Sequence, residues 1–153
     1  MNYSIEQIAR ITGGEIHGGP VNSPVTRLVI DSRTPVAGPG DMFCALAGAT
    51  DGHRFIPEMY RRGVRAFLVS SLPVDTAAFP ETAFILVDSV VKAIDAIAAA
   101  RRKELTGTTF IGITGSVGKT VVKEFLYRAL VPVTAVSRSP RSWNSQIGVP
   151  LSI

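Results

Sequence analysis

The stretch with the plainest chemical meaning is Gly112-Ile113-Thr114-Gly115-Ser116-Val117-Gly118-Lys119-Thr120. Two glycines, a lysine and a hydroxyl at this spacing are what a phosphate-binding loop requires. Gly115 and Gly118 can take positive φ and let a ligand approach the backbone. The N–H groups of Gly115, Ser116, Val117, Gly118, Lys119 and Thr120 can then form an anion nest at a helix start, where the macrodipole also favours phosphate. Lys119 would reach the β/γ-phosphates as the candidate catalytic residue, and the Thr120 hydroxyl would ligate Mg²⁺. One position departs from the usual pattern. Five residues before the second glycine stands Ile113 rather than a further glycine. The alternative is a glycine-rich turn between strand and helix with an incidental lysine. The flanking pattern favours the phosphate loop.

Such a loop needs a strand before it and a helix after it. The apolar run 110–113 supplies the expected strand, residues 121–130 are amphipathic, and a second strand is expected at 133–136. Strand, helix and strand make the first βαβ unit of a parallel sheet. Upstream, Ser4-Ile5-Glu6-Gln7 is a capping box for a helix closed by Gly13-Gly14. Short strands are expected at 15–17, 25–30, 42–47, 66–70 and 83–87, with a short helix at 57–62 and a loop at 71–82. Residues 89–105 carry Val90, Val91, Ile94, Ile97 and Ala98 at helical spacing. The fold class is therefore α/β: a small mixed α/β N-terminal domain at 1–87, then residues 88–153 as the start of a P-loop ATP-binding domain. A lone βαβ unit would leave its sheet edge uncovered. The expectation is thus the front portion of a longer protein.

Composition narrows the function classes. The chain has 153 residues, 46% hydrophobic and 18% charged, enough to bury a core. Its net charge of +4 suits an anionic nucleotide, and no basic stripe interleaved with aromatics argues for nucleic acid. Arg61-Arg62 and Arg101-Arg102-Lys103 fall at helix ends, where solvated cations are favourable. Cys44, the single cysteine, lies in an apolar run and reads as a small core residue. No signal peptide or membrane-length apolar run is visible, so a cytoplasmic location without membrane insertion is expected.

Several motifs together resemble those of one family, the Mur ligases of bacterial cell-wall synthesis. Thr114-Gly115-Ser116-x-Gly118-Lys119-Thr120 is similar to their ATP loop, including the missing early glycine. Asp31-Ser32-Arg33, Gly40-Asp41-Met42-Phe43, Asp51-Gly52-His53-Arg54-Phe55-Ile56 and Gly63-Val64 resemble their N-terminal substrate domain. Asn144-Ser145-Gln146-Ile147-Gly148-Val149-Pro150-Leu151 resembles their Asn-x-x-Ile-Gly-x-Pro segment. Lys123-Glu124 and Ile-Gly-Val-Pro-Leu look most like the members that add D-alanyl-D-alanine to UDP-N-acetylmuramoyl-tripeptide. The segment from Arg138 to Ser145 departs from the common form and looks more like the variant fused ahead of an alanine racemase.

The resemblance implies ATP, Mg²⁺, a UDP-N-acetylmuramoyl-peptide and D-alanyl-D-alanine as ligands. The reaction it implies is amide formation through an acyl phosphate, with this chain alone inactive. It implies that Ser32 contacts uridine with Arg33 nearby, and that Thr50, Asp51, Gly52, His53 and Arg54 form a turn reaching the diphosphate or sugar. Arg141, with Arg138, and Asn144 are further candidates for substrate contact. The residues by themselves leave alternatives open. Asp31-Ser32-Arg33 could be a strand-end turn closed by an Asp cap, and Arg138 and Arg141 could lie on a solvated loop. Another Mur-type ligase, a folyl-polyglutamate-type ligase and a non-catalytic nucleotide-binding module are the competing functions. The Asp-Ser-Arg segment argues against the folate enzyme.

Overall fold

The computed structural model of the chain describes residues 1–34, 38–48, 50–140 and 147–152. Its centre is a five-stranded sheet. In chain order the strands are β1 (Tyr3–Ser4), β2 (Glu15–His17), β3 (Pro24–Val25), β4 (Arg27–Val29), β5 (Asp41–Cys44), β6 (Ala66–Val69) and β7 (Ala83–Leu86). The sheet order is β2-β7-β6-β5-β4, and β1 pairs with β3 apart from it. β4, β5, β6 and β7 run parallel, and only the edge strand β2 is antiparallel.

Parallel strands must be covered on both faces, and the apolar runs alternate to do so. Met42, Cys44, Leu68 and Ile85 point to one face, where they meet Ile5 and Ile8 of α1 (Ile5–Thr12) and Ile94 and Ile97 of α3 (Val90–Glu104). Phe43, Phe67, Val69 and Phe84 point to the other, against Ile56 and Met59 of α2 (Ile56–Arg61). Phe67 stacks on Phe84 at 5.3 Å and meets Phe43 edge-on at 6.2 Å. Cys44 is wholly buried as expected, and burial pushes its thiol up to about 12.

Local signals set the helix ends. In α1 the Ser4 hydroxyl accepts from the Gln7 amide at 3.1 Å, and the Gln7 side chain accepts from the Ser4 amide at 2.8 Å. Gly13, at φ 67, closes the helix in the left-handed conformation. Ser89 caps α3 by accepting from Lys92 N–H at 3.4 Å. α3 packs into the same core cluster as the N-terminal sheet.

The second half departs from expectation in its strands. α4 (Lys119–Leu130) forms, but 110–113 and 133–136 take no strand pairing. A strand is stable only with neighbours and a covered face. Here the would-be strands and helix remain in solvent, with Ile111 57%, Phe125 68% and Val133 75% exposed. Beyond them, Ile147 and Leu151 return to pack against the α1–α3 side of the core.

The stacked phenylalanines carry the second face, which yields a direct expectation. Phe67→Ala should cost about 3–5 kcal/mol. Urea unfolding should show a lower midpoint with an unchanged slope, and a loss under about 1 kcal/mol would contradict this packing account.

Candidate functional site

Because β4 to β7 run parallel, their C-terminal ends share one edge, the edge where open α/β sheets bind ligands. The segments leaving that edge contain Asp31-Ser32-Arg33 after β4, Thr50 to Arg54 after β5, and Ser70-Ser71 after β6. The fold thus gathers on one edge two motifs separated by about twenty residues in sequence.

The first turn is built by Asp31. Its backbone carbonyl accepts from Thr34 N–H at 3.0 Å and from Thr34 Oγ1 at 2.7 Å. Its carboxylate accepts from Arg33 N–H at 2.9 Å and from the Arg33 guanidinium, Nε at 2.9 Å and Nη2 at 2.7 Å. The Arg33 hydrogen bonds hold the Asp31 carboxyl down at about 2. So the Asp-cap geometry is real, and it leaves the Arg33 side chain 88% exposed at the rim. Arg62 joins from α2: Nη1 donates to the Ser32 carbonyl and Nη2 to the Thr34 carbonyl. Arg62 is therefore not the solvated helix-end cation that its position suggests. Its guanidinium is a tether between elements.

The second turn is a single turn of 3-10 helix, Gly52–Phe55, leading directly into α2. Asp51 caps it, accepting from His53 N–H at 3.0 Å. The hydrogen bonds from His53, side chain first and backbone second, lower the Asp51 pKa. His53 Nδ1 lies 2.6 Å from Asp51 Oδ1, while its Nε2 lies 3.1 Å from the Ser70 amide nitrogen. A backbone N–H can only donate, so Nε2 accepts and Nδ1 carries the proton. His53 thus bridges the turn and the end of β6, with its side chain 13% exposed. Gly52 N–H donates to the Leu46 carbonyl at 2.8 Å. A Cβ there would stand 2.8 Å from the Leu46 amide nitrogen and from that same carbonyl oxygen, so only glycine fits. Thr50, Asp51 and Arg54 are exposed, and Gly52 and His53 are half-buried.

The candidate phosphate loop, 112–120, is a separate construction. Gly118, at φ 80, is the N-cap of α4, and Gly115 sits at φ 146. Both values are costly for any residue with a side chain. No side chain caps α4, so its first N–H groups stay available to an anion. Lys119 opens the helix and folds back, its Nζ donating to the Gly115 carbonyl. Ser116, Val117 and Thr120 are exposed on the loop. Downstream, Arg138 pairs with Glu124 at 2.7 Å and lies 4.0 Å over the Tyr127 ring. Lys123 Nζ donates to the Ser139 carbonyl at 2.9 Å. Arg138 thus spends its charge on α4. Arg141 and Asn144 lie outside the described residues.

Comparison with known proteins gives this geometry its context. No protein-family model matches the chain. The UDP-N-acetylmuramoyl-tripeptide--D-alanyl-D-alanine ligase of Synechocystis is 36% identical over 130 residues, covering 84% of this chain and 28% of that protein. The Mycobacterium tuberculosis ligase of the same name is 31% identical over 175 residues, covering 100% and 34%. A MurF structure from Acinetobacter baumannii superposes with a TM-score of 0.86 at 28% identity, over 100% of this chain and 33% of that one. The Thermotoga maritima MurF ligase in complex with ADP superposes at 0.70 with 33% identity, over 84% and 28%. The chain is homologous to the Mur ligases, over a region about a third of their length. Within that family, these relatives and structures all carry the name of the D-alanyl-D-alanine-adding ligase, MurF.

The Asp31 pair sets an acid response. The folded pKa is about 2 against an ordinary 3.8, so the pair's stabilisation is complete above 3.8 and is lost as pH falls towards 2. The Asp31 side chain is 45% exposed, and solvent screening keeps the contribution below about 1 kcal/mol. A carboxyl-carbon NMR titration should put the Asp31 midpoint near 2. A midpoint at 3.8 would remove the Arg33 pair in solution.

Proposed function

We propose that the chain is the nucleotide-sugar-binding and phosphate-loop part of an ATP-dependent amide ligase of peptidoglycan precursor synthesis. In this reading the ligase joins D-alanyl-D-alanine to UDP-N-acetylmuramoyl-tripeptide in the cytoplasm. The observation that carries the reading is that this one chain, similar to proteins named for that reaction, holds both a sheet-edge pair of turns and a glycine-capped loop at a helix start. Among the described residues no helix is long and apolar enough to cross a membrane.

The loop fits ATP with Mg²⁺ on its own geometry. Two glycines at positive φ remove side chains from the concave side, and the uncapped start of α4 offers N–H donors and a positive dipole end. ATP, when bound, supplies the phosphoryl group that activates a carboxylate for attack by an amine. Lys119, held over the loop by the Gly115 carbonyl, would place its ammonium beside bound phosphates and neutralise charge there. The Thr120 hydroxyl, exposed one residue into the helix, is the candidate Mg²⁺ ligand. At the sheet edge, Ser32 is assigned to the uridine and Arg33 to its rim. Asp51, Gly52, His53 and Arg54, with Thr50, are assigned to the diphosphate and sugar. His53 and Gly52 act there by shaping the turn, since His53 is committed to Asp51 and Ser70. Arg54, exposed and cationic, is the group of this turn able to meet a phosphate.

The test is ligation measured as ADP release that depends on both UDP-N-acetylmuramoyl-tripeptide and D-alanyl-D-alanine. In the full-length ligase, Lys119→Ala should lower kcat at least about a hundredfold while the fold survives. ADP release without need of the dipeptide would defeat the ligase reading, and near-normal kcat in Lys119→Ala would remove the loop from the chemistry.

A further inference from the structure

Arg62 sits where the turns that leave the neighbouring strands β4 and β5 can be locked together. Its own position is fixed first. α2 closes at Arg62, followed by Gly63 at φ 97, with Gly63 N–H donating to the Tyr60 carbonyl at 2.9 Å and Val64 N–H to the Met59 carbonyl at 3.1 Å. Glu58, one turn earlier, lies 3.7 Å from Arg62 Nη1, and the Met59 sulfur lies 3.7 Å from the same nitrogen. The side chain is 28% exposed.

From that base the guanidinium reaches the segment that leaves β4. Nη1 and Nη2 donate to the carbonyls of Ser32 and Thr34, which stand 30 and 28 residues away in sequence. The bonds supplied by Asp31 are all to Arg33 and Thr34, within the turn. They give the turn its shape but do not place it on the molecule. The Arg62 bonds do. α2 is continuous at its other end with the Gly52–Phe55 turn. A rigid path therefore runs from the Ser32 carbonyl through Arg62 and α2 to His53.

We propose that Arg62 is a positioning residue for nucleotide-sugar binding: it clamps the Ser32 turn to α2 and so sets its distance from the Asp51–Arg54 turn. The inference rests on the reading that these two turns hold one UDP-sugar. A planar guanidinium holds its five N–H donors in a fixed fork, which suits two carbonyls at once, and an ammonium offers only a compact point charge. Without the clamp, binding must order the turn and so loses affinity.

The experiment is calorimetric binding of UDP-N-acetylmuramoyl-tripeptide, with Mg·ADP as a second ligand, to wild type, Arg62→Met and Arg62→Lys. Methionine keeps an apolar stem beside Met59 and lacks donors. Arg62→Met should bind the UDP-sugar about tenfold or more weakly and Arg62→Lys about threefold or more weakly, with Mg·ADP affinity unchanged in both. Equal UDP-sugar affinity in wild type and Arg62→Met would overturn the clamp and leave the site reading standing. A parallel loss of both ligands would make Arg62 a purely structural residue and also overturn it. Should Arg62→Met not fold, Arg62→Lys decides alone, and wild-type affinity there would overturn the clamp. Wild type that binds Mg·ADP but not the UDP-sugar would defeat the site reading itself, and the clamp with it.

Discussion

The structure depends on a sheet of parallel strands that must be buried on both faces. That requirement explains why β5, β6 and β7 are nearly continuous apolar runs. It also explains why α1 and α3 cover one face and α2 the other. Once the strands are parallel, every C-terminal end lies on one edge. The turns beginning at Asp31, Thr50 and Ser70 all leave from that edge. His53 then uses the neighbourhood: its ring joins the β5 turn to the β6 end, with Nδ1 toward Asp51 and Nε2 accepting from the Ser70 and Ser71 amides. The packing that stabilises the sheet therefore also places the candidate site.

The glycine loop before α4 answers to a different constraint, a helix start that no side chain caps. Gly118 in the left-handed conformation and Lys119 over the Gly115 carbonyl are set within a few residues of each other. Their geometry needs no distant packing, and the loop keeps its form although 110–113 and 133–136 pair with no strand. α4 consequently leaves Val121, Val122 and Phe125 in solvent. Local determinants shape this loop, and sheet packing shapes the other.

What was legible in the sequence follows the same split. Capping box, glycine stops and apolar runs are local signals, and they mark α1, β6, β7 and α3 to within a residue or two, while the 42–47 run extends three residues past β5. The 25–30 run was harder to read, because Thr26 breaks it into β3 and β4, which join different sheets. The expected strands at 110–113 and 133–136 show the limit: periodicity records a capacity to pair, and pairing needs partners. Asp31 and Asp51 are visible as turn-capping residues. Nothing in the sequence marks Arg62, because its partners are the carbonyls of Ser32 and Thr34, and carbonyls carry no residue-type signal. Ser70 enters through its backbone amide and is hidden for the same reason.

The central claim is that the C-terminal edge of the parallel sheet and the glycine-capped start of α4 are two distinct ligand-binding places. Backbone amide NMR shifts of this chain, titrated first with UDP-N-acetylmuramoyl-tripeptide and then with Mg·ADP, test it most directly. The account predicts that the first ligand moves the amides of Ser32, Arg33, Gly52, His53 and Ser70, and that the second moves those of Gly115 to Thr120. Shifts from the UDP-sugar centred instead on the opposite edge, at Gly40, Asp41 and Ala66, would contradict it.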